Sequence, residues 1–241
     1  MLNNNTVNGI ESSHLWEHIG FTLIELLVSI SIISLLSSVV LAGFQEARRA
    51  AKEATILSSL NSAQTQATAY LNKNKTYKGL CDSEKINKIV SSLSATADDA
   101  SCWEASQEQD GPGKVEDTIN ELAKRDWGIG VKLDSKYYAG SPLGSGTFET
   151  KNESPVSGKT DWDNARTACQ SDNKRLPSPS ALRAVFAIID DLDENNVFTE
   201  DSHWSAFDNQ QRSSEALRVR LDNGSIYSSA KTSDNLVRCI R

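Results

Sequence analysis

The chain has no pair of cysteines spaced Cys-x-x-Cys; its four cysteines stand far apart, at Cys81, Cys102, Cys169 and Cys239. Zinc ligands usually come in close pairs, so no metal site is expected. There is no Gly-rich phosphate loop, and only three histidines, His14, His18 and His203. Hydrolase and transferase chemistry therefore finds no footing, and neither an enzyme nor a cofactor is expected. A basic excess is also lacking. Lys and Arg number 25 against 32 Asp and Glu, for a net charge of −7, so nucleic-acid binding is not expected as the main activity. A single Met and 7% aromatic residues point to modest cores, while 38% apolar content suits a folded protein. With 241 residues, the chain can hold one large domain or two small ones after any processed segment.

Charge is scarcest near the start. From Phe21 to Phe44 the only charged side chain is Glu25. At about 1.5 Å per residue this run can cross roughly 30 Å of hydrocarbon. A secretory signal would have a basic start and a shorter apolar core, yet residues 1–20 contain no Lys or Arg. A plain anchor, with Glu25 snorkelling at the interface, leaves the carboxylate without a purpose. A buried soluble helix would need surroundings more apolar than the rest of the chain offers.

The stretch Gly20-Phe-Thr-Leu-Ile-Glu-Leu-Leu27 resembles the processing site of type IV prepilins and pseudopilins. The resemblance implies that a prepilin peptidase cuts between Gly20 and Phe21 and methylates the new Phe21 amine. Glu25 then supplies the assembly charge. An unpaired carboxylate deep in a membrane costs about 2.5–3.5 kcal/mol, and the Phe21 amine of a neighbouring subunit would pair with it and set the axial stagger. The leader carries Glu11 and Glu17 in place of a basic stretch, so the positive-inside rule leaves its orientation open.

Helical signal continues past the apolar run. No Pro or Gly interrupts Gln45 to Asn74, and Ala47, Ala50, Ala51, Ala54, Leu57, Leu60 and Ala67 recur at three- and four-residue steps, predicting one apolar stripe. A single helix over 21–72 is expected, its first half transmembrane. Gly43 is either a point of bending or a close helix contact. Residues 73–150 are then expected to form a pilin head. "SEKINKIVSSLS" and "KVEDTINELAKR" carry helical periodicity, and "WGIGVKLDSKYYAG" predicts a hairpin with its turn at Asp-Ser-Lys. Cys81 and Cys102 bracket the first short helix, and a bridge between them is expected. The Gly- and Ser-rich stretch 141–160 predicts a loop or linker.

Residues 151–241 exceed an ordinary pilin head. Trp162, Ala165, Ala168 and Cys169 share a helical face with Asp161 as a candidate cap, and either Ser178 or Ser180 can cap a second helix. Asn223-Gly224 predicts a two-residue hairpin turn. The order Trp162…Cys169, Lys174-Arg-Leu-Pro-Ser178, His203-Trp-Ser-Ala206, Val219-Arg-Leu-x-Asn-Gly-Ser225 and the closing Val237-Arg-Cys-Ile-Arg241 is similar to bacterial C-type-lectin-like modules of the Lcl type. That resemblance implies an α+β module pinned by a Cys169–Cys239 bridge, with glycan or surface binding as an expectation from relatives; the paired sugar-and-calcium motifs of classical lectins are absent. Asp191, Asp193 and Asn195 alternate as in a calcium loop, but Asn196 replaces the turn glycine and Ser202 the bidentate Glu. A solvated acidic loop is expected over Asp190–Asn196.

The combined expectation is an α+β chain: a leader over 1–20, a long helix over 21–72, a small antiparallel-sheet head over 73–150 and a lectin-like module over 151–241. It would be a minor subunit of a type IV pilus or related filament, made as an inner-membrane precursor and then surface-exposed. Expected partners are the prepilin peptidase, other pilin subunits, the inner-membrane assembly platform and a glycan or surface ligand, with no nucleic acid. A secretion pseudopilin or a DNA-uptake pilin are the alternatives.

Overall fold

A computed structural model describes residues 22–104, 126–148, 154–189 and 201–241. The predicted helix over Lys114–Arg125 and the acidic segment Asp190–Asn196 lie outside the described residues. Contacts divide the chain into two units, 1–48 and 49–241.

Within the first unit stands the start of helix α1, which runs Leu23–Asn74 without a break at Gly43. Its large apolar side chains from Leu23 to Leu36, and Val40, are at least half exposed, and it is long and apolar enough to cross a membrane. Of the five serines in this stretch, four sit at little cost, because each of their hydroxyls donates back to a carbonyl one turn earlier. Ser29 reaches Glu25 O at 2.7 Å, Ser31 Leu27 O at 2.8 Å, Ser34 Ile30 O at 2.7 Å and Ser38 Leu35 O at 2.8 Å. These four hydroxyls are thereby paired within the helix itself.

The second unit is layered. Helix α2 spans Glu84–Thr96, and the antiparallel strands β1 (Asp99–Glu104), β2 (Trp127–Leu133), β3 (Lys136–Ser141) and β4 (Gly144–Thr147) form one sheet in that order. Alternation along β2 sorts its two faces. Trp127, Ile129, Val131 and Leu133 face Ile56, Leu60, Ala63 and Ala67 of α1 and Ile86 and Leu93 of α2 in a single core. The buried α1 stripe thus begins at Ile56; Ala47, Ala50, Ala51 and Ala54 are exposed, and favour the helix by propensity instead of burial.

On the opposite face of β2 stand Gly128 and Gly130, and there helix α4 (Pro179–Phe186) lies against the strand. A Cβ on Gly130 would meet Ala184 O at 2.0 Å. The same helix then packs on a second sheet, of order β5-β9-β6-β7-β8: Lys159–Thr160, Asn235–Leu236, Ser202–Asp208, Glu215–Arg220 and Ile226–Ala230. Leu182 and Val185 of α4 share a core with Tyr137 and Ala139 of β3 and with Leu217, Val219 and Ile226 of the second sheet. Helix α3 (Trp162–Ser171) covers the far face of that sheet through Trp162, Ala165 and Cys169, against Trp204, Ala216 and Val237. The caps are Asp161, which accepts from Asn164 N at 3.0 Å, and Ser178, which accepts from Ala181 N at 3.1 Å with Pro179 opening α4. The fold is α+β, a long apolar helix followed by antiparallel-sheet structure.

Two local expectations are corrected. Gly144–Thr147, read as linker, is the fourth strand. Its glycines let the chain close on the C-terminal segment, since a Cβ on Gly146 would meet Arg241 O at 2.0 Å. The turn at Asn223-Gly224 is a four-residue loop over 221–224, because Arg220 N donates to Ser225 O at 2.9 Å and Leu221 turns inward to join the core. Asn223 Oδ1 accepts from Ser225 N at 2.9 Å, and Gly224 takes φ 65°.

Candidate functional site

The chain's one charge within the apolar run lies in the first turn of α1. Thr22 precedes the helix, its carbonyl accepts the first helical bond from Leu26 N at 3.2 Å, and its hydroxyl accepts from Glu25 N at 3.3 Å. Glu25 Oε2 answers by accepting from Thr22 N at 3.1 Å and from the Thr22 hydroxyl at 2.8 Å. This is a capping box, in which cap and third residue each satisfy a donor the other leaves open. Positioning follows from it. Glu25 is held at the positive end of the helix dipole, while its Oε1 accepts no hydrogen bond among the described residues. A cationic donor arriving from outside would find that oxygen presented on a rigid turn.

The family described as the prokaryotic N-terminal methylation motif matches residues 19–41. The chain carries a type IV pilin-like N-terminus. That motif supports a type IV pilin or pseudopilin subunit, and with it a structural protein in place of an enzyme. It implies processing by prepilin peptidase and assembly with other pilins, and it fits a membrane-anchored precursor that later stands in a surface pilus. No curated protein matches the chain.

Gly20 and Phe21 themselves lie outside the described residues. The cysteines form two disulfides: Cys81–Cys102, with Cα atoms 5.8 Å apart, ties the loop before α2 to β1, and Cys169–Cys239, at 5.6 Å, ties α3 to the C-terminal segment. Beside the first bridge, Glu104 accepts from Gly79 N and, at 2.6 Å, from Cys81 N. His203 is fully buried, with Nδ1 3.0 Å from Asp201 O. Burial, with Arg238 nearby, lowers its pKa to about 3, so it is neutral at physiological pH and serves packing.

Thr22 was not singled out by the sequence reading, although Thr-x-x-Glu ahead of an apolar run is a recognisable cap signature. A second missed group joins the sheets. Asp126, just before β2, is buried, accepts from Trp127 N at 2.9 Å and takes the Ser180 hydroxyl of α4. One turn along α4, the buried Arg183 guanidinium lies 4.4 Å over the Trp103 ring. Burial raises the Asp126 carboxyl to about 6 and lowers Arg183 to about 10, each shift partly offset by the opposite charge. Neither residue belongs to a sequence motif. Their meeting depends on the tertiary packing of α4.

Proposed function

We propose that this chain is a minor subunit of a type IV pilus or related filament, cut after Gly20 and methylated on Phe21, with residues 151–241 acting in adhesion or surface recognition through a lectin-like module. The observation that carries the reading is a methylation motif over 19–41 in which the lone carboxylate is fixed by a cap and keeps one oxygen for a partner. Within a filament, that oxygen would take the Phe21 amine of the adjoining subunit. The inner-membrane assembly platform would present the precursor for this exchange. A second sheet with its own disulfide, locked to the head by α4, supports a rigid recognition surface at a filament end, where such bulk clears its neighbours. A secretion pseudopilus uses the same N-terminal chemistry and is the second reading.

Removal of residues 151–241 would strip α4 from the first sheet and expose Tyr137 and Ala139, so it tests folding as much as recognition. The decisive experiment leaves the head intact. Wild type and Glu25→Gln are produced with the assembly machinery, the mature N-terminus is determined by mass spectrometry, and sheared filaments are assayed for the subunit. The expected wild-type N-terminus is N-methyl-Phe21. Glu25→Gln is expected at normal membrane levels and at least tenfold depleted from filaments. Retention of the first twenty residues, or equal incorporation of the variant, overturns the reading.

A further inference from the structure

The second unit contains a cavity of about 510 Å³ between α3 and β6, within the size range of small-ligand sites. Its wall is shaped by an irregularity in β6. Register with β7 breaks between Trp204 and Asp208, and Ala206 N leaves the ladder to donate to Pro177 O at 2.8 Å. Bulges of this kind re-aim side chains, and here Ala206 and the half-buried Phe207 line the cavity. Below them the floor is apolar, made by buried Leu176, Leu217 and Trp162.

The remaining lining is polar, with two cations, two amides and one acid: Arg166, Arg175, Gln170, Gln210 and Asp208. Asp208 is already engaged by Lys231 at 3.3 Å, whereas no carboxylate pairs with Arg166 or Arg175 among the described residues. Two guanidinium groups are therefore in excess, in a chain whose net charge is −7. Trp162 cannot serve as a stacking platform, because it is buried and carries Lys231 Nζ at 4.7 Å and the Arg166 guanidinium at 5.5 Å over its ring. The exposed part of Phe207 offers the apolar contact instead.

Planar amides, a carboxylate and forked guanidinium groups around an apolar wall suit a ligand with paired hydroxyls and a planar anion. A peptide adding as a strand would require an open sheet edge; in the part of β6 that walls this cavity, Ala206 N is already taken by Pro177 O and Asp208 pairs with Ala216 of β7. We propose that the cavity binds a uronate-type saccharide, its carboxylate taken by Arg166 and Arg175, its hydroxyls by Gln170 and Gln210, and its apolar face set against Phe207. The proposal rests on the reading of residues 151–241 as a recognition surface and gives that surface a site and a ligand class.

The test uses the full chain in detergent micelles, titrated calorimetrically with trigalacturonate, maltotriose, a sulfated disaccharide and duplex DNA. Trigalacturonate is expected to bind at least tenfold more tightly than the other three. Arg166→Ala and Arg175→Ala, both on exposed side chains, are each expected to lose at least tenfold. Gln210→Glu, which adds a repelling carboxylate to the rim, should weaken binding as well, and Arg212→Ala, outside the cavity lining, should not. Equal binding of maltotriose, tighter binding of the sulfated sugar or DNA, or wild-type affinity in correctly melting arginine variants overturns the proposal. Such a failure leaves the filament reading untouched, since that is judged by incorporation of Glu25→Gln.

Discussion

Gly130→Ala is the most incisive perturbation of the fold. The new Cβ would stand 2.0 Å from Ala184 O, 2.8 Å from Ala184 C and 3.1 Å from Ile188 Cγ1, against ordinary carbon contacts of about 3.5–4.0 Å. Backbone atoms of α4 cannot rotate aside as a side-chain tip can, so the helix must back away from β2 by more than about 1 Å. That movement loosens Leu182 and Val185 from both sheets at once, because α4 lies in a core the sheets share. Overpacking costs about 1–3 kcal/mol where side chains can adjust; with a helix backbone obliged to move, the upper end, about 3 kcal/mol, is expected. For a unit of this size that corresponds to a melting temperature lowered by about 6–12 °C. The measurement is thermal unfolding by circular dichroism of the soluble head starting at Arg49, with Gly140→Ala as comparator. At Gly140 the nearest atom is the flexible Leu60 Cδ2 at 3.1 Å, so a smaller loss is expected. A Gly130→Ala head that melts within about 1 °C of wild type would refute the seating of α4 on the strand.

The Asp126 carboxyl is raised from 3.8 to about 6 in the fold, so between those values the native state holds more protons than the unfolded one. Its contribution therefore makes stability fall as pH rises from about 4 through 6, by up to about 3 kcal/mol. Asp126→Asn is expected to flatten this slope in denaturant unfolding measured across pH 4–7, and an unchanged slope would rule Asp126 out as its source. Reduction of Cys169–Cys239, which closes a separation of 70 residues, should cost about 4 kcal/mol on the chain-entropy estimate, and loss of Cys81–Cys102, at 21 residues, about 3 kcal/mol. Paired Cys→Ala variants in urea melts report both. Thr22→Val removes the cap hydroxyl and should weaken the first turn of α1 by about 1 kcal/mol. Faster amide exchange at Glu25 and Leu26 would register that loss, and unaltered exchange would deny the capping box a role.

The N-terminal site was legible because its chemistry is local. The motif around Gly20, Phe21 and Glu25 lies in eight consecutive residues, and the helix cap needs only Thr22 and Glu25 three positions apart. The hairpin over Trp127–Ser141 was equally readable, since alternation and turn residues are sequence properties. The same strand shows where reading stopped. Gly128 and Gly130 look like weak points in an apolar alternation, and nothing nearby in sequence says that a helix fifty residues later will rest on them. Gly144–Thr147 suggested a linker for a related reason: its glycines are explained by the C-terminal segment, almost a hundred positions away.

What the sequence by itself determined, then, is the class of the chain. A long apolar helix with one placed carboxylate, followed by alternating strands and capped helices, is set by periodicity, charge and capping over a few residues at a time. Tertiary structure alone decided that α4 is shared between two sheets, that Asp126 and Arg183 are buried beside it, and that Arg166 and Arg175 line one cavity with Phe207. These depend on close approach between segments distant in the chain, where a missing Cβ or a strand bulge acquires its purpose only from the partner that arrives.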